Sequence, residues 1–557
     1  MKRPLLALAA ALLATAANAD TLVSNINGIQ VGPDGKLQHF RALTIGNDGK
    51  IRQVPEHPEL VRLAGITNTI DGQGRTLLPG LIDAHGHVLG LGFSALQLDL
   101  TYTGSIFDVQ HSLERYAAAR PKLAWITGRG WNQELWPDKK FPTAADLDSV
   151  VSDRPVVLER VDGHAVVANT AALRAAGITS ATKDPVGGKI ERDSIGNPTG
   201  LLVDAATELV ATKVPAPTTR QRDQALEEAQ RELLAVGVTG VGSMSASLGA
   251  WDAMMRAGQA KRLNVRLMVY ADGLAPLKAV PHPTPWLYGD RLRMVGVKIY
   301  ADGALGSRGA WLKQPYSDKP DTRGLQFHSD AEYLAMADAA AARGFQIATH
   351  AIGDAANAQV IGAYEQLSKK YGRDRRWRIE HFQIADPADI PRLAPAGIIA
   401  SMQPTHQTSD RLMAEARLGP NRLAGAYAWQ SVLKNGAGLA FGTDFPVESP
   451  NPFPGLAAAI SRQDMNGQPP GGWIPSERLT LGQALEAYTR GAAYAGFAED
   501  RIGALEPGKW ADFIFIDRDP TKIDAQSLGR TQVLETWVGG RMVWSRAPSV
   551  SRPERGQ

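Results

Sequence analysis

His85-Gly86-His87 is the first place in the chain where side chains of the right type stand at a spacing that could do chemistry. The pair closes an apolar run, Leu77-Leu78-Pro79-Gly80-Leu81-Ile82-Asp83-Ala84. An apolar run of this length, set off by turn formers, reads as a buried strand. Side chains two apart leave a strand on one face, so Asp83, His85 and His87 are expected to project together. Two imidazoles side by side at a strand end can bind one divalent metal. The chain has 0 cysteines, so any metal must rely on imidazole and oxygen donors. Two histidines that merely flank a turn are the plainer reading, and this pair alone does not exclude it.

Such side chains need a frame to hold them. The middle of the chain repeats one rhythm: an apolar strand, a polar residue at its C-terminal end, then a helix. Strands are expected at 77–87, 236–244, 265–270, 294–300, 345–350, 377–381, 398–402 and 438–444, with helical stretches such as 331–343 and 355–369 between them. Eight alternating units predict an α/β fold, a (β/α)8 TIM-type barrel over 77–499. Barrels of this kind keep their chemistry at the C-terminal strand ends. There the sequence places His85, His87, Lys298, Asp302, His350, His381, His406 and Asp444. Plainer readings exist for each. His350 could be a core histidine bonded to backbone, Lys298 could pair with Asp302 or Glu380, and Asp444 could cap the next segment.

Residues 95–235 exceed what one strand-to-helix connection needs. They read as a subdomain inserted over the barrel mouth, with strand-like runs at 124–127 and 155–161, covering the metal pocket and supplying Trp131 or His164 to that pocket's outer wall. Both chain ends are β-rich. Residues 20–76 and 500–548 are expected to build one small composite β-sandwich, with 549–557 as a flexible tail; two separate β appendages are the alternative.

Pro79-Gly80-Leu81-Ile82-Asp83-Ala84-His85-Gly86-His87 resembles the first metal motif of the amidohydrolase superfamily. Gly503-Ala504-Leu505-Glu506-Pro507-Gly508-Lys509-Trp510-Ala511-Asp512 is similar to a pattern in that family's small composite domain. Gly128-Arg129-Gly130-Trp131-Asn132 and Glu159-Arg160-Val161-Asp162-Gly163-His164 resemble segments of its N-substituted formamide deformylase-like branch. The resemblance implies a metal-dependent hydrolase of non-peptide C–N bonds with one or two divalent ions, zinc first among them. It implies that His85 and His87 bind the more buried metal and His350 and His381 the more exposed one. Lys298 falls where many members carry a carboxylated lysine bridging both. Asp444 falls beside the hydrolytic water, as a ligand and proton shuttle. Trp131, His164, Asp302 and His406 are the candidates for contact with a small-molecule substrate.

Composition narrows the alternatives. The chain has 557 residues, 44% hydrophobic and 21% charged, with a net charge of +3 and no dense Lys/Arg block. Nucleic acid and anionic membrane are therefore not expected partners, while a homo-oligomer is compatible with the sequence. Met1-Lys2-Arg3, the apolar run 5–17 and Ala17-Asn18-Ala19 read as a signal peptide over 1–19, cut before Asp20. The mature protein is expected to be exported without a membrane anchor, into the periplasm if the host is Gram-negative. A metal-dependent ester, lactone or phosphoester hydrolase, and a non-catalytic binding or regulatory protein on the same scaffold, remain the competing functions.

Overall fold

The computed structural model describes residues 20–56, 66–161, 163, 165–185 and 188–546. Residues 1–19, read above as a signal peptide, His164 and the expected tail 549–557 lie outside them. Eight parallel strands form the central sheet: Leu81–Gly86, Val238–Ala246, Arg266–Asp272, Leu292–Tyr300, Gln346–Ala351, Arg378–His381, Ile399–Met402 and Gly438–Phe441. We call them barrel strands one to eight. Each pairs with its sequence neighbour, as a singly wound barrel requires. The fold is thus an α/β TIM-type barrel with an extra domain of N- and C-terminal strands.

Strands one and eight meet at their C-terminal ends. Asp444 N donates to His85 O at 2.8 Å, and His87 N donates to Phe445 O at 2.8 Å. The Asp83 carboxylate ties the same seam, accepting from Thr443 N at 3.0 Å and Thr443 Oγ1 at 2.7 Å. Gly442 leaves room for it, since a Cβ there would lie 2.5 Å from Asp83 Oδ1.

The apolar run at 77–87 proves to be two strands rather than one. Thr76–Pro79 pairs antiparallel with Phe513–Ile516 in the outer sheet, and only Leu81–Gly86 enters the barrel. The partner changes at Gly80: its N–H donates to Asp512 O at 2.9 Å, while Leu81 N turns to Gly237 O at 3.1 Å. Both pieces are buried on both faces, so hydrophobicity gives no sign of the break.

The outer domain has a six-stranded and a four-stranded sheet. Val23, Phe40, Leu43, Ile51, Leu77, Phe513 and Phe515 share one core. Arg266, at the start of barrel strand three, grips Asp512 with two hydrogen bonds of 2.6 and 2.9 Å, both side chains buried. Asp512 is the last residue of the Gly-Lys-x-Ala-Asp pattern noted in the sequence, and this bidentate pair joins the outer domain to the base of the barrel.

Helix Val88–Leu96 follows strand one, and helix Thr219–Ala235 precedes strand two. The two pack so closely that a Cβ on Gly92 would lie 1.7 Å from Ala225 O. Between them stands a separate sheet of six strands, where the sequence suggested two. Leu98–Asp99 is too short to read, and Ala165–Ala168 is buried on both faces and shows no alternation. Trp131, expected at a pocket wall, instead fills this sheet's core. It has no exposed surface, its indole N–H donates to Leu158 O at 2.8 Å, and its ring lies 6.5 Å from Trp136. Truncation of so large a buried side chain is expected to destabilise by roughly 3–5 kcal/mol. Trp131→Ala should therefore lower the unfolding midpoint in denaturant and leave substrate preference unchanged; changed preference at full stability would restore a contact role. Among the described residues, no helix is long and apolar enough to cross a membrane.

Candidate metal centre

Barrel strand six sets the deepest part of the site. Arg378 and Glu380 are two apart, so both point into the barrel. Arg378 donates to Glu380 Oε1 at 2.7 Å and Oε2 at 3.0 Å, and also to Tyr270 Oη, Ala84 O and Ser401 Oγ. Burial would raise the Glu380 carboxyl, but Arg378 and His85 hold it at about 2. The anionic Glu380 accepts from His85 Nδ1 at 2.7 Å. This fixes the tautomer: the proton sits on Nδ1 and the Nε2 lone pair faces the barrel axis.

Asp444 receives that lone pair's direction. Its Oδ1 lies 3.3 Å from His85 Nε2 and 3.1 Å from His87 Nε2, and its Oδ2 lies 3.7 Å from His406 Nε2. His87 stands at the N-cap position of helix Val88–Leu96 without a side-chain capping bond and keeps 28% of its side chain exposed, unlike the buried His85. Two backbone distortions bring these groups together. Asp444 has φ +61° and His381 φ +76°, both in the left-handed region that costs a non-glycine residue energy. His381 Nδ1 is paired with Gln403 Oε1 at 2.9 Å, so this imidazole also turns Nε2 away from its support. The His381 ring lies 4.8 Å from His85, 4.6 Å from His350 and 5.9 Å from His406.

The donor atoms form two overlapping groups, His85–His87–Asp444 and His381–His406–Asp444, each with ligand atoms within 4.8 Å of one another. His350 Nε2, His406 Nε2 and Asp444 Oδ1 are buried without a hydrogen-bond partner. Orphaned polar atoms are costly unless something else satisfies them. Burial and the Lys298 charge lower His350 to about 3; burial lowers His85 and His381 too, so these imidazoles keep their lone pairs at neutral pH. Burial raises Asp444, but the imidazoles of His85 and His87 beside it hold it well below the usual carboxylate range. Neutral imidazoles around an anionic carboxylate are the donor state a divalent cation requires.

Lys298 is buried, with Nζ 3.3 Å from His85 Nε2 and 5.0 Å from the centre of the Tyr300 ring. It makes no ion pair with Asp302 or Glu380, so the plainer reading of this lysine does not hold. Burial lowers it to about 8. Asp302 also departs from expectation. Its carboxylate accepts from Trp311 N at 2.9 Å, Ile352 N at 3.0 Å and Gly353 N at 2.8 Å, and it is 1% exposed. It clamps the loops after strands four and five and has no free edge for substrate. His406, read as facing substrate, stands instead within the second donor group. Glu380, Arg378 and Gln403 carry orienting bonds that the sequence reading did not assign. The Arg378-x-Glu380 spacing was the available signal for the first two.

Residues 68–544 match the amidohydrolase family. The chain belongs to that family. Among other amidohydrolase relatives, YtcJ of Bacillus subtilis is 33% identical over 510 residues, covering 90% of this chain and 95% of that one. The N-substituted formamide deformylase of Arthrobacter pascens is 29% identical over 498 residues, covering 86% and 90%. The crystal structure of an uncharacterized metal-dependent hydrolase from Pyrococcus horikoshii matches with a TM-score of 0.77 at 28% identity, covering 91% of this chain and 99% of that one. As an amidohydrolase the chain is a metal-dependent hydrolase, and the centre above supplies donors for its divalent metal.

Proposed function

We propose that this amidohydrolase cleaves a non-peptide C–N bond in a small amide-type molecule, such as an N-acyl, N-formyl or cyclic amide, with Asp444 as proton shuttle. The observation that carries the reading is Asp444 Oδ1, a buried carboxylate oxygen with no hydrogen-bond partner, set 3.3 and 3.1 Å from two imidazole nitrogens. His85, His87, Lys298, His350, His381 and Asp444 would hold one or two divalent ions, zinc first among them. A metal held there would supply a water of lowered pKa and a Lewis acid for the scissile carbonyl. The chain's own groups do the rest. Glu380 and Gln403 fix the orientation of His85 and His381. Asp444, held anionic, accepts the proton of the attacking water and returns it to the departing nitrogen. Preference for a C–N bond is supported by the formamide deformylase relative, which matches most of both chains.

Metal analysis followed by turnover on a mixed panel of amides and esters tests the proposal. Bound metal with amide turnover exceeding ester turnover is expected. Ester-only turnover would replace the proposal with an ester, lactone or phosphoester hydrolase, and absence of both metal and turnover would leave a binding protein.

The same proposal places the protein outside the cytoplasm. The first strand of the outer domain begins at Asp20, so a cut before that residue leaves the described fold whole. Mass measurement of the protein exported by its native host is expected to show Asp20 at the N-terminus; intact Met1 on exported protein would refute it.

A further inference from the structure

We propose that the hydroxyl pair Ser245–Tyr300 donates a hydrogen bond to the substrate oxygen on which negative charge develops. Tyr300 is two residues beyond Lys298 on barrel strand four, so both face the barrel interior. Its ring lies 5.4 Å from the His350 ring and 5.0 Å from Lys298 Nζ. Its Oη lies 2.6 Å from Ser245 Oγ on strand two, reaching past strand three. Ser245 has φ +52°, and the register with strand three shifts between Ser243 and Ala246. A bulge with a left-handed serine re-aims that side chain at a cost, which makes the contact a feature the surrounding structure enforces.

Two hydroxyls carry two protons, and their mutual bond uses one. Among the described residues, neither hydroxyl has another hydrogen-bond partner, so one proton is always left to donate. The buried tyrosines of the barrel differ in this respect. Tyr270 donates to Gln346 Oε1, and Tyr333, Thr349 and Tyr364 bond to one another. Ser245 and Tyr300 are only half-buried, and so remain open to a ligand at the mouth. Arg378, the other strong donor inside the barrel, is fully committed to Glu380 and its neighbours. A donor aimed where charge develops is worth more to the transition state than to the ground state. The inference rests on the hydrolase reading but not on bond type, because amides and esters develop the same oxyanion.

The test uses metal-loaded full chain as wild type, Tyr300→Phe, Ser245→Ala and the double variant. Turnover is measured on the panel compound that the wild type cleaves fastest, and binding of an alkyl phosphonate monoester, a tetrahedral mimic, is measured by calorimetry. Loss of one such donor typically lowers kcat by about 10²–10³-fold. Tyr300→Phe is expected to show that loss, with a comparable loss of phosphonate affinity, little change in KM, and unchanged metal content and melting temperature. Ser245→Ala should cost less, since it leaves the phenol in place, and the double variant should be no worse than Tyr300→Phe. Unchanged kcat and phosphonate affinity in Tyr300→Phe would overturn the proposal, as would losses that merely track lost metal or a lower melting temperature. If the wild type cleaves nothing on the panel, the hydrolase reading fails, and phosphonate binding alone decides on the donor pair.

Discussion

Asp444→Asn is expected to lower turnover by at least ~10²-fold, the scale of positioned general acid–base catalysis. The substitution keeps the shape of the side chain and its backbone bond to His85 O, but removes the charge that accepts a proton. The expectation draws its strength from how much the fold invests in this group. Asp444 is held at φ +61°, buried, and anionic against the cost of burial. Turnover is to be compared at equal metal loading, because Asp444 belongs to both donor groups. A well-folded, metal-loaded Asp444→Asn protein with near-normal turnover would assign proton transfer elsewhere.

Lys298→Ala is expected to reduce bound metal from about two ions per chain to about one and to lower activity with it, as loss of a shared bridge requires. Among the described residues Lys298 has no ion-pair partner, and its Nζ stands 3.3 Å from His85 Nε2, where an ammonium among imidazoles is poorly accommodated. Burial lowers it to about 8, which leaves part of it as a free amine near neutral pH. That amine can add carbon dioxide and lose a proton, giving a carbamate that would supply anionic oxygen donors to bound metal. Preparation with bicarbonate should raise the wild type's metal content, and short carboxylic acids should partly rescue the variant. Full activity and unchanged metal in Lys298→Ala would reject the bridge.

The barrel was legible because each of its eight strands is an apolar run with a polar end, and the donors fell at those ends. His85 and His350 could be found that way since strand position decides where they point, whereas His381 and Asp444 were found by their place at or just past a strand end and are aimed by left-handed backbone turns. What the sequence hid has three causes. The run at 77–87 is apolar throughout, so nothing marks the change of sheet at Gly80. Trp131 and Asp302 looked like site residues because aromatic and acidic side chains near a motif invite that reading. Their real partners, Leu158 O and three backbone N–H groups, are set by tertiary contacts. His406 sits on the helix after strand seven, where side-chain direction depends on how that helix begins rather than on strand alternation.

The seam between the first and last barrel strands has a consequence for when the site comes into being. His85 and Asp444 are neighbours only because strand eight returns to strand one, and the Asp83–Thr443 and Asp444–His85 bonds are what return it. A nascent chain that ends between residues 406 and 444 has the histidines but no shared carboxylate, so neither donor group is complete. A protein threaded unfolded across a membrane would therefore meet its metal on the far side, after closure. Ligand capture then stabilises only the closed form. Metal content in a refolding experiment becomes a clock for barrel closure, readable before any substrate is known.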